Sequence, residues 1–264
     1  MLEIFGFTKE PFLHPLSTNE IFPWRDLKEG QKRLAYGVKC GGLICLVGKS
    51  GCGKTTLLRS FTSQLEPGLY KSLAVQHTSG TALDLLMHIG DQLGLEGTNI
   101  RSRMVHRVQL ECSQLLASRI SPLVVIDEAH FLTNQALHEL RLLMRSELDA
   151  VRNFILILSG HDDLEARLRT PWLLPLRQRV TTWIRLGTLA PEEAAQYLHH
   201  RLKIAGVPIN LFTPEATFAL CQLSGGLLRP LDTLAHHALL ACALESAKQV
   251  TAEHVRLAAE EVGV

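Results

Sequence analysis

Gly42-Leu43-Ile44-Cys45-Leu46-Val47 runs directly into Gly48-Lys49-Ser50-Gly51-Cys52-Gly53-Lys54-Thr55, and Thr56-Leu57-Leu58 follows. The first six residues are an uninterrupted apolar run, as a strand buried on both faces requires. The next eight match G-x₄-G-K-[ST], and the residues beyond Lys54 resume an apolar rhythm of helical period. Strand, glycine-rich loop and helix in that order form a phosphate cradle. The glycines let backbone N–H groups turn inward at a helix N-terminus, where the dipole favours an anion. Gly48, Ser50, Gly51, Cys52, Gly53, Lys54, Thr55 and Thr56 are therefore the candidate nucleotide-binding residues. Lys54 suits the β and γ phosphates of ATP, and the Thr55 hydroxyl suits Mg²⁺.

Working outward, Leu123-Val124-Val125-Ile126 is a second buried run, and it ends in Asp127-Glu128-Ala129-His130. Two carboxylates at the C-terminal edge of a strand stand where open α/β sheets bind their ligands. Asp127 suits the Mg²⁺ shell, and Glu128 suits the base that polarises an attacking water. The plain alternative is a solvated acidic helix start. Further strands are expected at Ser72 to Gln76, Phe154 to Leu158 and Thr182 to Leu186, with the first from Gly42 to Val47. Helical spacing marks Thr55 to Leu65, Ala82 to Leu93, Arg103 to Ser118 and Asn134 to Leu148.

Strand signals stop near Leu189. Helices are expected at Pro191 to Ala205, Pro214 to Leu223, Leu231 to Ser246 and from Thr251, with Thr213-Pro214-Glu215 supplying an N-cap, a first-turn proline and an acid at the dipole. The expected fold is α/β: a central parallel sheet flanked by helices over residues 1–189, with an all-helical lid over 190–264. Residues 1–40 are expected to pack near the nucleotide.

Composition bounds the rest. The 264 residues are 46% hydrophobic, and 27 basic against 26 acidic residues leave a formal charge of +1. Any nucleic-acid contact must then come from a local patch. No run of eighteen uncharged apolar residues exists and the first residues lack a signal-peptide layout, so no membrane role and a cytoplasmic location are expected. Six cysteines without a C-x₂-C pair read as packed thiols and not as a zinc site. Cys52, inside the phosphate loop, is either a neutral filler or a point of thiol sensitivity.

Phe154 to Leu158 is followed by Ser159-Gly160-His161. Ser159, with His161 second, is the candidate sensor of the γ-phosphate. From Ala166 to Ala190 there is no acid, yet Arg167, Arg169, Arg177, Arg179 and Arg185 occur. Arg177 and Arg179 are candidate fingers for a neighbouring subunit's ATP, or part of a solvated or nucleic-acid-binding basic face. Gly225-Gly226-Leu227-Leu228-Arg229 places Arg229 at a helix start, from which it could reach the phosphates. Arg101, Arg103 and Arg107, with Thr78, Thr81 and Thr98, form either a phosphate-contacting edge for duplex DNA or an ordinary solvated face.

Phe5-Gly6-Phe7-Thr8-Lys9-Glu10-Pro11-Phe12, the phosphate loop, Asp127-Glu128-Ala129-His130, Leu176-Arg177-Gln178-Arg179-Val180 and Ser224-Gly225-Gly226-Leu227-Leu228-Arg229 together resemble the ExeA-like AAA+ ATPases. The family includes secretion accessory ATPases with a later membrane span, and stand-alone regulators that resemble the MuB, TniB and TnsC type of transposition target selector. A chain stopping at Val264, soon after the lid, points to the second group. That resemblance implies an ATP hydrolase that assembles as a ring or filament on duplex DNA and recruits or activates a transposase. The alternatives are a secretion or protein-assembly ATPase and a nucleotide-gated signalling switch. Leu228 stands where the family commonly has proline before the second-sensor arginine, and Ser159-Gly160-His161 stands where it often has Gly-Gln.

Overall fold

The computed structural model describes residues 2–75, 81–144 and 154–263. In chain order they form α1 (Leu2–Phe5), α2 (Arg25–Cys40), β1 (Leu43–Gly48), α3 (Lys54–Thr62), β2 (Tyr70–Val75), α4 (Ala82–Leu93) and α5 (Arg101–Ala117). There follow β3 (Ser121–Ile126), α6 (Asn134–Leu143), β4 (Ile155–Gly160), α7 (Asp163–Leu168), α8 (Leu174–Arg177) and β5 (Val180–Leu186). The chain closes with α9 (Pro191–Ile204), α10 (Pro214–Ser224), α11 (Leu228–Leu244) and α12 (Ala252–Val262). It divides into two compact units: Leu27–Lys49 with Lys54–Leu186, and Met1–Asp26 with Ser50–Gly53 and Gly187–Val264.

The first unit is built on a five-stranded sheet in the order β2-β3-β4-β1-β5. Every neighbouring pair is parallel. Both faces are covered, which is why β1 and β4 are buried along their whole length and read as unbroken apolar runs. Side chains alternate between the faces. Leu43, Cys45 and Val47 of β1 join Val124, Ile126, Leu156 and Leu158 in a core with α4, α5 and α6. On the opposite face Gly30 of α2 lies so close to α3 that an added Cβ would stand 2.6 Å from Leu57 Cδ2. The expected α/β architecture with a central parallel sheet and C-terminal helices is the one observed.

Most boundaries move by a residue or two, and the larger shifts have physical causes. β4 runs on to Gly160 because β1 keeps pairing with it, Leu46 opposite Ser159 and Val47 opposite Gly160. Ser159 is thus the edge of the strand and not the start of a loop. α11 begins at Leu228, three residues before the expected Leu231, because Pro230 stands in the first turn, where a missing N–H costs nothing. Gln76, Thr78 and the expected helix beyond Met144 lie outside the described residues. Among the described residues no helix is long and apolar enough to cross a membrane.

In the second unit α10 packs on α9, α11 and α12. Thr213 caps α10 as its sequence suggests, its hydroxyl accepting the Ala216 N–H at 3.2 Å, and Gly225 closes that helix in the left-handed region. The N-terminal segment belongs to this unit. Thr8 donates both its N–H and its hydroxyl to the Ala205 carbonyl, at 2.8 and 3.0 Å. Arg201, 4% exposed, donates to the carbonyls of Pro11 at 2.6 Å and His14 at 3.2 Å and lies over the Phe12 ring. Its guanidinium also meets the Tyr197 hydroxyl at 3.2 Å and stands 3.7 Å from Asp232.

Burial outweighs the Arg201 charge and the Tyr197 hydrogen bond at Asp232, so this carboxyl is pushed up to about 6. A raised carboxyl stabilises the folded chain below its unfolded value of about 4, and that contribution is lost as pH rises through the folded value. Asp232→Asn, compared with the wild type by urea unfolding, is therefore expected to become relatively more stable between pH 4 and pH 7.5. The gain is about 3 kcal/mol, from about two pKa units at 1.36 kcal/mol each. A difference between the two proteins that does not vary with pH would refute the assignment.

Candidate functional site

Parallel pairing brings the C-terminal ends of β1, β3 and β4 to one edge of the sheet, and the candidate residues of the first unit stand there. Lys54 opens α3 with its side chain buried; its Nζ donates to the Gly48 carbonyl at 2.8 Å and the Lys49 carbonyl at 3.0 Å. Thr55, one residue on, is exposed and donates its hydroxyl to Asp127 Oδ2 at 2.6 Å. The other oxygen of Asp127 accepts the Ser159 hydroxyl at 2.7 Å and the Glu128 N–H at 3.0 Å. Three segments far apart in sequence thus converge on one carboxylate. A hydroxyl and a carboxylate held in contact are hard oxygen donors, the kind that Mg²⁺ takes. The residues present fit that ion.

Glu128 follows Asp127 with φ 53° and ψ 36°, a left-handed conformation that L residues adopt at a cost of about 1–2 kcal/mol. Its side chain is 46% exposed, and Oε2 lies 3.2 Å from Nδ1 of His130. The same Nδ1 accepts the backbone N–H of His161 at 3.3 Å. A single ring nitrogen cannot accept from His161 and donate to Glu128 at once. Ser159 is fully buried and fixed on Asp127, whereas His161 meets the acidic loop through its backbone.

Ser50–Gly53 are grouped with the second unit. Gly51 and Gly53 have φ of 78° and 101°. A Cβ on Gly53 would lie 2.8 Å from the Trp24 ring and 3.0 Å from Leu228 Cδ1, so only glycine fits there. Gly51 accepts the Arg229 N–H through its carbonyl at 3.2 Å, and the Arg229 side chain is exposed at the start of α11. Cys52 is 3% exposed, which shields its thiol. Five of the six cysteines are buried, and Cys40 is exposed.

The structure separates the arginines that sequence groups together. Arg169 and Arg185 both bind Glu165, Arg185 through Nε at 3.0 Å and a second nitrogen at 2.8 Å. The Arg185 hydrogen bond first and Arg169 after it hold the Glu165 carboxyl down at about 2. Arg177 is exposed at the end of α8, and Arg179 is half-buried beside β1, whose Leu43 N–H reaches the Arg179 carbonyl at 3.3 Å. Arg167, which sequence offered only as one of a basic run, donates to the carbonyls of His130 and Leu132 at 2.6 and 2.7 Å and to Asn134 Oδ1 at 2.7 Å. Neither that clamp nor the Trp24 packing has a local sequence signal, since each depends on a distant segment.

The candidate DNA edge is largely engaged within the fold. The Thr81 hydroxyl caps α4 through a reciprocal pair with Asp84. Thr98 accepts the Ile100 N–H at 3.3 Å. Arg101 pairs with the buried Glu139 at 3.1 Å, and Arg107 donates to the Glu96 carbonyl at 2.8 Å. Arg103 is exposed on α5.

Comparison with known proteins agrees with this geometry. Residues 39–168 match the family described as AAA domain. The chain is 31% identical over 268 residues to General secretion pathway protein A of Aeromonas hydrophila, covering 98% of this chain and 48% of that protein. It therefore spans about half the length of the curated relative it matches. Among solved structures it resembles Cdc6p from Pyrobaculum aerophilum, with a TM-score of 0.76 at 16% identity over 97% of this chain and 72% of that one. The Aeropyrum pernix ORC1 protein, solved in complex with DNA, gives 0.70 at 19% identity over 97% and 70%. The RuvB branch migration motor of Thermotoga maritima gives 0.58 at 17% identity over 94% and 72%. With the parallel sheet, the glycine loop and the Asp127 cluster, these matches show that the chain has the P-loop AAA fold, with residues 39–168 similar to the family described as AAA domain.

Proposed function

We propose that this chain is an ATP hydrolase of the AAA+ type, similar to the ExeA-like ATPases, that uses nucleotide state to control its assembly with a protein partner. The observation that carries the hydrolase reading is the convergence of Thr55 and Ser159 on Asp127, at 2.6 and 2.7 Å. In this reading the loop Gly48 to Thr55 wraps the phosphates, and Lys54 releases its two loop carbonyls to bind the β and γ oxygens. Thr55 and Asp127 would hold Mg²⁺, which when bound neutralises charge on the phosphate oxygens. Glu128 takes a proton from the attacking water, and Ser159 keeps Asp127 oriented. Arg177 or Arg179 reaches a neighbouring subunit's phosphate in a ring or filament, and Arg229 reports nucleotide state to the helical lid.

Similarity over 98% of the chain to General secretion pathway protein A favours a protein partner. A second reading has the assembly form on duplex DNA, select target sites and recruit or activate a transposase. It is supported by the resemblance to transposition regulators and by the exposed Arg103, and the ORC1 relative shares the fold in a complex with DNA. The internal engagement of Arg101 and Arg107 weighs against it. ATPase rate and sedimentation, measured with and without duplex DNA in ATP and in ADP, separate the two. We expect hydrolysis that is indifferent to DNA and nucleotide-dependent sedimentation of the protein by itself. ATP-dependent co-sedimentation with DNA, lost in Arg103→Ala and at raised salt, would establish the second reading instead.

A further inference from the structure

Glu128 lies in a strained backbone conformation at the start of a short turn. Its N–H is fixed by Asp127 at 3.0 Å, and its carbonyl accepts the Phe131 N–H at 3.0 Å, which closes one short turn over Ala129, His130 and Phe131. Beyond it the Leu132 N–H reaches the Ala129 carbonyl at 3.2 Å and the His161 N–H reaches His130 Nδ1 at 3.3 Å. What spans the turn is the guanidinium of Arg167. It reaches the carbonyls of His130 and Leu132 and the side-chain oxygen of Asn134, all at 2.6–2.7 Å. A planar fork with five donors can satisfy three acceptors at once. Arg167 sits on α7, in the segment that leaves the strand edge holding Ser159, so one segment touches Asp127 through Ser159 and the turn after Glu128 through Arg167.

We infer that Arg167 is the positioning residue for Glu128: it holds the loop 128–134 in the geometry that aims the Glu128 carboxylate at the attacking water. The inference rests on the hydrolase reading above. Arg167 acts through the loop, by its bonds to His130, Leu132 and Asn134. A misplacement of about 1 Å in a reacting group lowers a rate by about a hundredfold. Loss of the clamp is accordingly expected to appear in kcat and to leave ATP binding intact.

The experiment uses the full chain with Arg167→Ala and Arg167→Lys, each alone and combined with Glu128→Gln. Steady-state and single-turnover hydrolysis, ATP affinity and Tm without nucleotide are measured for each. We expect Arg167→Ala to lower kcat by about 10–100-fold with KM and ATP affinity within about twofold of wild type. Arg167→Lys, which keeps the charge and has no planar fork, should fall between. In the Glu128→Gln background either change should alter the residual rate by less than about twofold, because two residues acting through one step are not additive. An unchanged kcat in Arg167→Lys and Arg167→Ala overturns the inference. So does a loss that adds in full to that of Glu128→Gln, or a fall in ATP affinity that accounts for the whole effect. If Arg167→Ala does not fold, the Lys variant, alone and in the Glu128→Gln background, decides by the same criteria. A wild-type chain that does not hydrolyse ATP sinks the hydrolase reading first and the inference with it; a hydrolysing wild type matched by its Arg167 variants sinks the inference alone.

Discussion

Glu128→Gln is expected to reduce ATP hydrolysis by about 100- to 1,000-fold while ATP remains bound as tightly as in the wild type. The substitution keeps the size of the side chain and removes its charge and its ability to accept a proton, and general-base catalysis is typically worth about 10²–10⁴ in rate. The corresponding barrier increase is about 3–4 kcal/mol. Left-handed backbone at this position is no less compatible with Gln than with Glu, and backbone groups of the turn beyond it are held by Asp127 and Arg167. Structure and affinity should therefore survive. Single-turnover hydrolysis beside equilibrium binding of ATP is the direct check. A variant that hydrolyses at more than about a tenth of the wild-type rate would return Glu128 to the plain reading of a solvated acid at a turn.

Lys54→Ala is expected to abolish hydrolysis by a different route, through binding. A charge-assisted hydrogen bond is worth about 1.5–3 kcal/mol, and here one ammonium would serve two phosphates, so ATP affinity should fall by about 10–100-fold or more. The buried side chain also ties down the Gly48 and Lys49 carbonyls, and its loss should lower the stability of the ligand-free protein by about 1 kcal/mol. Thermal unfolding with graded ATP separates the two effects. In the wild type, ATP at about 100 times Kd adds about 2.7 kcal/mol of stability. In Lys54→Ala at the same concentration that increment should shrink to about 1.4 kcal/mol for a tenfold loss of affinity and to about 0.4 kcal/mol for a hundredfold loss. An undiminished increment would show that the phosphates are held without Lys54. Glu128→Gln and Lys54→Ala are thus expected to give opposite patterns, a bound and inactive state against an unbound one.

How much of the molecule is legible in its sequence depends on how far apart the interacting pieces lie along the chain. The strand–loop–helix from Gly42 to Leu58 is local, and Leu123 to Glu128 carries its own signature because a strand buried on both faces must be apolar until its polar edge. The cap at Thr213 was equally legible, since Thr, Pro and Glu act on adjacent backbone groups. Sequence also sorted the C-terminal helices from the sheet. It grouped Arg101, Arg103 and Arg107 by their charge, whereas the fold gives Arg101 the buried Glu139 and leaves Arg103 exposed. It likewise grouped five arginines between Ala166 and Ala190, of which Glu165 occupies Arg169 and Arg185.

What the chain alone determined, then, is the set of elements and the chemistry at their ends: an apolar period that makes parallel strands, glycines that admit positive φ at Gly51 and Gly53, and the lysine, threonine and carboxylates that follow them. Tertiary structure decided which of those groups meet. The strand order puts β3 and β4 side by side and β4 next to β1, so Ser159 and Thr55 reach Asp127, and α7 brings Arg167 onto the loop after Glu128. Such contacts join residues tens of positions apart, and hydrophobic period and local propensity act within one element, so no local pattern encodes them.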